Sequence, residues 1–467
     1  MTQLLRLVWF RGDLRLHDNP ALFAACAAGG KAALIYILDE RMGAAGRWWL
    51  HQSLTALSAD ITARGGYLIL RRGDPLVIIP QLAAELGAES VHVARTFEPA
   101  HRATDRALDG ALKEHGVALH RHHALSLFPP DRIVTKAGTP FGVFTPFSKA
   151  CLAAGVPEAL CPAPERIDGM EAASDQLSDW ALLPTRPDWA AGLRDEWQPG
   201  EAGATARLAA FLASPVHDYA VRRDFPAQPG TSKLSPHVHF GEISPRLVWH
   251  RVAGMGSGLG VTVFLKELLW REFSLHLLWQ HPDIRTAPMR PEFAHFPWVE
   301  DAPALRAWQR GQTGVPIVDA GMRELWHTGW MHNRVRMICA SYLVKHLLVP
   351  WQAGEAWFWD TLCDADWAAN GASWQWVAGC GADAAPYFRI FNPVLQGQKF
   401  DPEGAYVRHF VPELARLPAS CLHAPWDAPP ALLAGAGVRL GETYPHPLIG
   451  LAEGRARALA AFAAHKS

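Results

Sequence analysis

The sequence predicts an N-terminal α/β portion on a doubly wound, five-stranded parallel sheet, followed by an all-α C-terminal portion. Three observations predict it. Up to about residue 130, short apolar runs alternate with helical stretches. Those runs are continuously apolar, as strands buried on both faces of a parallel sheet must be. Beyond residue 203 strand-like runs nearly vanish and helical composition takes over.

The elements follow in order. Segments 4–10, 32–38, 67–70 and 90–94 read as buried strands, with a further short strand near Ala118. Between them, 20–28, 47–63, 75–86 and 103–115 have helical composition. From 131 to 200 the pattern dissolves into Pro, Gly, Ala and short polar stretches, which predicts a long connector. Helices are expected over 204–214, 244–251, 261–280, 303–310, 318–328 and 333–346. The expected domains are therefore 1–130, a connector 131–200, and a helical domain 201–467.

Composition bounds the function. A chain of 467 residues, 49% hydrophobic and 19% charged, folds into two or three units and is not disordered. Its net charge of −1 means that any nucleic acid must be held by a local basic patch. The seven Cys show no zinc-ligand or redox spacing, as expected of reduced thiols inside a cell. The N-terminus lacks a signal-peptide apolar run and no stretch approaches a membrane span, so a cytoplasmic protein is expected. Trp, with 20 copies, is in excess. Indole is large and easily oxidised, so this excess asks for a reason.

Several familiar chemistries find no support. The glycines at 254–260 fail dinucleotide-loop spacing and follow a helix, and Gly29-Gly30-Lys31 lacks the rest of a phosphate loop. There is no zinc-protease helix motif and no nucleophile elbow. His120, His122 and His123 fall at a strand end, where an exposed polar edge is a better reading than a metal site.

Four segments carry chemistry. In 230–246, Thr231, Ser232, Lys233 and Ser235 offer hydroxyls, backbone N–H groups and a positive charge before a helix, as a phosphate requires. An ordinary helix cap is the plainer alternative. Glu267, Trp270 and Arg271 share one helix face at i, i+3 and i+4. Asn333 and Met337 share another at i, i+4. The stretch Asp364-Ala365-Asp366-Trp367-Ala368-Ala369-Asn370-Gly371-Ala372-Ser373-Trp374-Gln375-Trp376, followed by 383–393, is too polar for a plain core helix and too aromatic for a solvated loop.

Together with Leu7-Val8-Trp9-Phe10-Arg11-Gly12-Asp13-Leu14-Arg15-Leu16-His17-Asp18-Asn19, these segments resemble the photolyase/cryptochrome family of blue-light flavoproteins. The resemblance spans essentially the whole chain and is weakest across 131–200. It implies an N-terminal antenna domain and a C-terminal helical domain holding FAD bent into a U.

The resemblance also implies roles. Tyr219 and Thr231, Ser232, Lys233, Leu234 and Ser235 match flavin phosphate and ribose contacts, and Arg271 a flavin-side Arg. Asp364 and Asp366 match the acids beside the isoalloxazine, with Arg336 pairing one of them. Asn370 matches the residue facing the reactive ring nitrogen. It can accept from a protonated nitrogen without adding a charge, which suits a fully reduced flavin. Trp374, Trp351 and Trp298 match the electron-carrying chain from flavin to surface. Trp357, Trp359 and Trp367 fit either a branch of it or core packing.

On the substrate side, Trp270 and Trp376 match aromatic walls for a flipped-out lesion, with Glu267 and Asn333 at its edges. Arg223, Arg334, Lys399 and Arg408 are candidate phosphate clamps and Gln396 a further DNA contact. Asn333 and Met337 match the cyclobutane-dimer branch, whereas six-four enzymes carry a His pair for proton transfer. The resemblance thus implies a light-driven deoxyribodipyrimidine photolyase (a carbon–carbon lyase), in which excited reduced FAD lends an electron to the dimer. The alternatives are a cryptochrome-type receptor, a six-four photolyase and a passive DNA-binding module. UV-damaged DNA is the expected partner of a monomer with no obligate protein partner. A second chromophore is expected too, methenyltetrahydrofolate ahead of deazaflavin, although His101 stands where a folate-binding branch has Glu.

Overall fold

In the computed structural model the described residues are 4–27, 29–155, 160–387 and 389–466. Ala28, at the end of the first expected helix, and Phe388, within the fourth segment, lie outside them. The chain divides into two compact units. The first comprises Met1–Ala190, Arg194–Val216 and Ser232–Pro282. The second comprises Ala191–Leu193, His217–Thr231 and Asp283–Ser467. The division is not linear in sequence, because the helix Leu259–Gln280 packs with the α/β portion.

The first unit holds five parallel strands, β1 (Leu5–Phe10), β2 (Lys31–Ile37), β3 (Leu68–Arg71), β4 (Ser90–Ala94) and β5 (Ala118–His122). Their order is β3-β2-β1-β4-β5, all neighbours parallel. Every residue of β1 and β4 is buried, and their apolar side chains fill both faces, with Arg6, Ser90 and His92 as buried polar exceptions. The crossovers are α1 (Pro20–Ala27), α2 (Ala44–Thr62), α3 (Pro75–Leu86) and α4 (Pro99–Glu114). α3 shows why they start and stop where they do. Asp74 accepts from the Leu76 N–H at 2.9 Å, Pro75 opens the first turn, and Gly87 closes it in the left-handed region.

The stretch expected as a bare connector carries a helix, α5 (Phe144–Ala154). Phe144, Phe147, Ser148 and Cys151 bury one face of it. Phe144 stacks on Trp270 with ring centroids 3.5 Å apart, and Phe147 packs on Phe273 and His276. The partner supplies the stability that an 11-residue helix of ordinary composition lacks by itself.

The N-terminal segment of the family resemblance is a structural knot within this unit. Arg15 donates to the carbonyls of Asp18, Ala124 and Gly241. Asp18, fully buried, accepts from Arg246 at 2.7 Å and from the Ser244 hydroxyl. A buried carboxylate and guanidinium are tolerated because each is paired and hydrogen-bonded.

The second unit is helical. Pro316–Thr328, Asn333–Ser341, Trp351–Thr361 and Trp367–Ala378 enclose a core that includes Trp308, Trp351, Phe358 and Trp374. The expected helix over 333–346 continues past Ser341 as one π-helical stretch, Tyr342–His346. Among the described residues no helix is long and apolar enough to cross a membrane.

Candidate flavin and DNA-lesion site

In the second unit, the fourth sequence segment folds as the turn Leu362–Ala365 and the helix Trp367–Ala378. Asp366 is its N-cap, accepting from the N–H groups of Ala368 and Ala369 at 3.0 and 2.7 Å. The other acid, Asp364, is buried. Its Oδ2 accepts from Arg336 Nη2 at 2.8 Å, while Oδ1 is buried with no partner among the described residues. A buried, unpartnered carboxylate oxygen is costly unless a donor completes it. The uracil-like edge of an isoalloxazine carries such a donor, so these residues fit a flavin.

One helical turn on, Asn370 is also buried. Its Nδ2 donates to Glu355 Oε1 at 2.8 Å and to the Glu355 carbonyl at 3.1 Å. Both partners are acceptors, so the amide nitrogen must lie on that side. The Asn370 oxygen is thereby left to accept from a donor elsewhere. Glu355 is in turn paired with Arg285. The Arg285 guanidinium lies 3.6 Å from the ring centroid of Trp359 and 4.6 Å from that of Trp367. Gln375 holds the segment bearing Arg285, donating to the carbonyls of Ile284 and Ala287 and accepting from the Met289 N–H.

Trp374 is almost fully buried, edge-on to Phe358 (5.0 Å) and Trp308 (6.2 Å). Gly354 makes room for it, because a Cβ there would overlap the indole. Trp351 is buried in the same core, with half-buried Trp298 and Trp376 packed against it. Trp298 also meets Phe296 at 4.5 Å.

Also in this unit, Tyr219 is buried, and the Arg223 guanidinium lies 5.4 Å from its ring centroid. Thr231 is half-buried. Asn333 is exposed at the start of its helix, with Met337 half-buried one turn on. His332 caps that helix, its Nδ1 accepting from the Arg334 N–H at 3.2 Å. Burial lowers the His332 imidazole to about 4, so it is neutral near pH 7. Arg334 pairs with Asp224 at 2.8 Å and lies over Phe400. Gln396 is half-buried and Lys399 exposed on the helix Pro393–Phe400. Arg408, a candidate phosphate clamp in the sequence, donates instead to the carbonyls of Glu403, Ala415 and Leu417. It secures the fold around its own helix.

In the first unit, Ser232, Lys233, Leu234 and Ser235 lead into a five-residue helix, Ser235–His239. Lys233 adopts positive φ, and its Nζ pairs with Glu196 at 2.9 Å. On the helix Leu259–Gln280, Glu267, Trp270 and Arg271 are half-buried. Phe144 covers one face of the Trp270 indole, so a base can stack only on the other. Arg271 donates to the Leu125 carbonyl at 2.9 Å. Its neighbour Glu272 is buried, accepts from the Phe128 N–H, and is raised by desolvation to about 7. Asp39, Glu98 and His101 gather around Arg41, whose guanidinium supplies the positive charge of that cluster.

Sequence reasoning missed Glu355, Arg285, Gly354 and Gln375. They come from separate stretches, and each looks ordinary where it stands. The visible hint was the Trp excess, since Trp359 and Trp367 prove to hold Arg285.

Residues 6–165 match the DNA photolyase family and residues 264–464 the FAD binding domain of DNA photolyase. The deoxyribodipyrimidine photo-lyase of Agrobacterium fabrum is 48% identical over 98% of both chains. Cryptochrome-1 of Arabidopsis thaliana is 37% identical, over 97% of this chain and 69% of that one. Among solved structures, a bacterial class III photolyase from Agrobacterium tumefaciens superposes with a TM-score of 0.98. It is 47% identical, over 100% of this chain and 98% of that one. The chain belongs to the photolyase/cryptochrome family.

Proposed function

We propose that the protein is a deoxyribodipyrimidine photolyase, which uses light and FAD to split cyclobutane pyrimidine dimers in DNA. The observation that carries this reading is the pair of acceptors in the second unit, Asp364 Oδ1 and the Asn370 oxygen, offered to a flavin in its protonated, reduced form. Bound FAD supplies the excitable one-electron donor. Asp364, charge-paired with Arg336, orients the polar edge of the ring. Asn370 would accept from a protonated ring nitrogen, and Tyr219, Thr231, Ser232, Lys233, Leu234, Ser235 and Arg271 are the residues assigned to hold the remainder of the cofactor. Trp374, Trp351 and Trp298 would relay electrons from an external reductant toward the cofactor.

By the family resemblance, Trp270 and Trp376 are each assigned to stacking on a flipped lesion. Glu267 and Asn333 bond the pyrimidine edges, and Met337 packs beside them. Arg223, Arg334 and Gln396 hold the strand through its phosphates and sugars. Ring splitting needs an electron lent and returned, without a net proton. A neutral His332, with Nδ1 committed to the helix cap, suits that chemistry better than the proton relay of a six-four enzyme. Methenyltetrahydrofolate is the antenna we favour over deazaflavin. The working unit is a cytoplasmic monomer acting on UV-damaged DNA.

The test is recovery of thymine absorbance when chemically reduced protein is illuminated with a dimer-containing oligothymidylate. A light-dependent rise is the expected result. With flavin bound and reduced, no rise on this substrate but repair of a six-four lesion would make it the other photolyase. Repair of neither would make it a cryptochrome-type receptor.

A further inference from the structure

Glu355 has no role in the reading above, yet its surroundings are built around it with unusual care. It is buried, so its charge needs strong compensation. Arg285 supplies it through a two-pronged pair, Nε to Oε1 and Nη2 to Oε2, the latter at 3.2 Å. Arg285 is itself fixed from three sides. Trp359 and Trp367 lie against its guanidinium. The Gln375 side chain pins the backbone at Ile284 and Ala287. Gly371 lets the helix approach, for a Cβ there would sit 2.9 Å from the Ile284 oxygen and 3.3 Å from Arg285 Cγ. The product of this scaffolding is one donor–acceptor pair, Asn370 Nδ2 to Glu355.

An Asn amide can present either end to a ring nitrogen. Its oxygen favours the protonated nitrogen of a fully reduced flavin, and its NH2 favours the bare nitrogen of the oxidised one. Glu355 removes the second choice by engaging the NH2 twice, through its carboxylate and its carbonyl. We propose that Glu355, held by Arg285, is a positioning residue that fixes the Asn370 amide so that only its oxygen can meet the flavin, biasing the bound cofactor toward full reduction. The inference rests on the placement of Asn370 beside the flavin proposed above.

Orientation and bare charge predict opposite signs. Replacing Glu355 by Gln removes a negative charge, which alone would make the flavin easier to reduce. Freeing the amide to turn over makes it harder. The test uses the FAD-loaded full chain of the wild type and of E355Q, R285K, N370A, E355Q/N370A and R285K/N370A. Flavin content is checked first. The one-electron potential of the final reduction step is then measured against a reference dye, and dark reoxidation in air is timed.

E355Q is expected to favour the oxidised side at least tenfold, about 59 mV lower for one electron, and to reoxidise faster. R285K should move the same way, since it keeps the charge and loses the two-pronged clamp. In the N370A background, where no amide is left to orient, R285K should add no shift, and E355Q should add no lowering but only the small rise of the lost charge. A rise in potential in E355Q, or an equal shift with and without Asn370, overturns the proposal. So does a wild-type potential in both single variants while N370A shifts, which leaves the site reading standing. A wild-type potential in N370A overturns the site reading and the proposal together. Should E355Q fail to take up FAD, R285K and R285K/N370A decide by the same criteria.

Discussion

Gly354 sits on the helix Trp351–Thr361 directly against the Trp374 indole, and Gly354→Ala adds one methyl group at that contact. The added Cβ would lie 2.5 Å from Trp374 Cζ3 and 2.7 Å from Cζ2, with Cη2 nearer still. Carbon atoms rest at about 3.5–4.0 Å, so the ring must retreat by about 1.4–1.9 Å or the helices must part. Trp374 has little freedom to retreat, because Trp308 and Phe358 hold its edges. Overpacking of this kind costs about 1–3 kcal/mol. For a unit of this size that lowers the melting temperature by about 2–4 °C per kcal/mol. Differential scanning calorimetry of the FAD-loaded protein reads the stability, and flavin photoreduction with an external thiol reads the position of the indole. The expected result is a melting point lower by about 2–12 °C and slower photoreduction. A variant that melts and photoreduces like the wild type would show that the helix gives way freely, and the reasoning about Trp374 would fail.

Three further outcomes are expected. Trp374→Phe should block light-driven reduction of oxidised FAD while leaving repair by chemically reduced enzyme nearly intact; normal photoreduction would remove Trp374 from the electron path. Trp270→Ala should weaken binding of a dimer-containing oligonucleotide by about 1–3 kcal/mol, the scale of base–aromatic stacking, or about 5- to 150-fold in Kd; unchanged affinity would take Trp270 out of the lesion pocket. Glu272, raised by burial from 4.5 to about 7, binds its proton more tightly in the folded chain than in the unfolded one. Its contribution is complete below about pH 4.5 and is lost as pH rises through about 7. The melting temperature of the wild type relative to Glu272→Gln should therefore fall from about pH 5 to about pH 8, and a flat difference would mean that the carboxyl stays ionised.

The parallel sheet was legible because burial on both faces leaves largely apolar runs, interrupted only at Arg6, Ser90 and His92, and the observed strands begin and end within a residue or two of those runs. Helix Phe144–Ala154 was not. Its one buried face depends on Trp270, Phe273 and His276, residues more than a hundred positions away that no local pattern announces. The candidate site divides in the same manner. Asp366 entered as a flavin-side acid through the family resemblance, and its capping of Trp367–Ala378 appears only in the structure. The Arg336–Asp364 pair joins positions 28 apart and entered only through the family resemblance. Glu355 and Arg285 offered no signal, for a Glu inside a Trp-rich helix and an Arg in a turn are each unremarkable until the fold brings them together. Arg408 shows the reverse error: a basic residue near the expected DNA side is spent on three backbone carbonyls.

The knot around Asp18 bears on how the protein is born. Its salt bridge to Arg246 spans 228 residues of chain. At a synthesis rate of about 5–20 residues per second, Asp18 leaves the ribosome roughly 10–45 s before its partner exists. Through that interval the strands of the sheet are already available, yet the Asp18 carboxylate lacks the guanidinium that binds it, since Arg15 beside it is spent on backbone carbonyls. The opening of the chain must therefore wait, solvated and unfinished, for a segment made halfway through translation. A fragment that stops before residue 246 is condemned to the same unfinished state, however complete its five strands are.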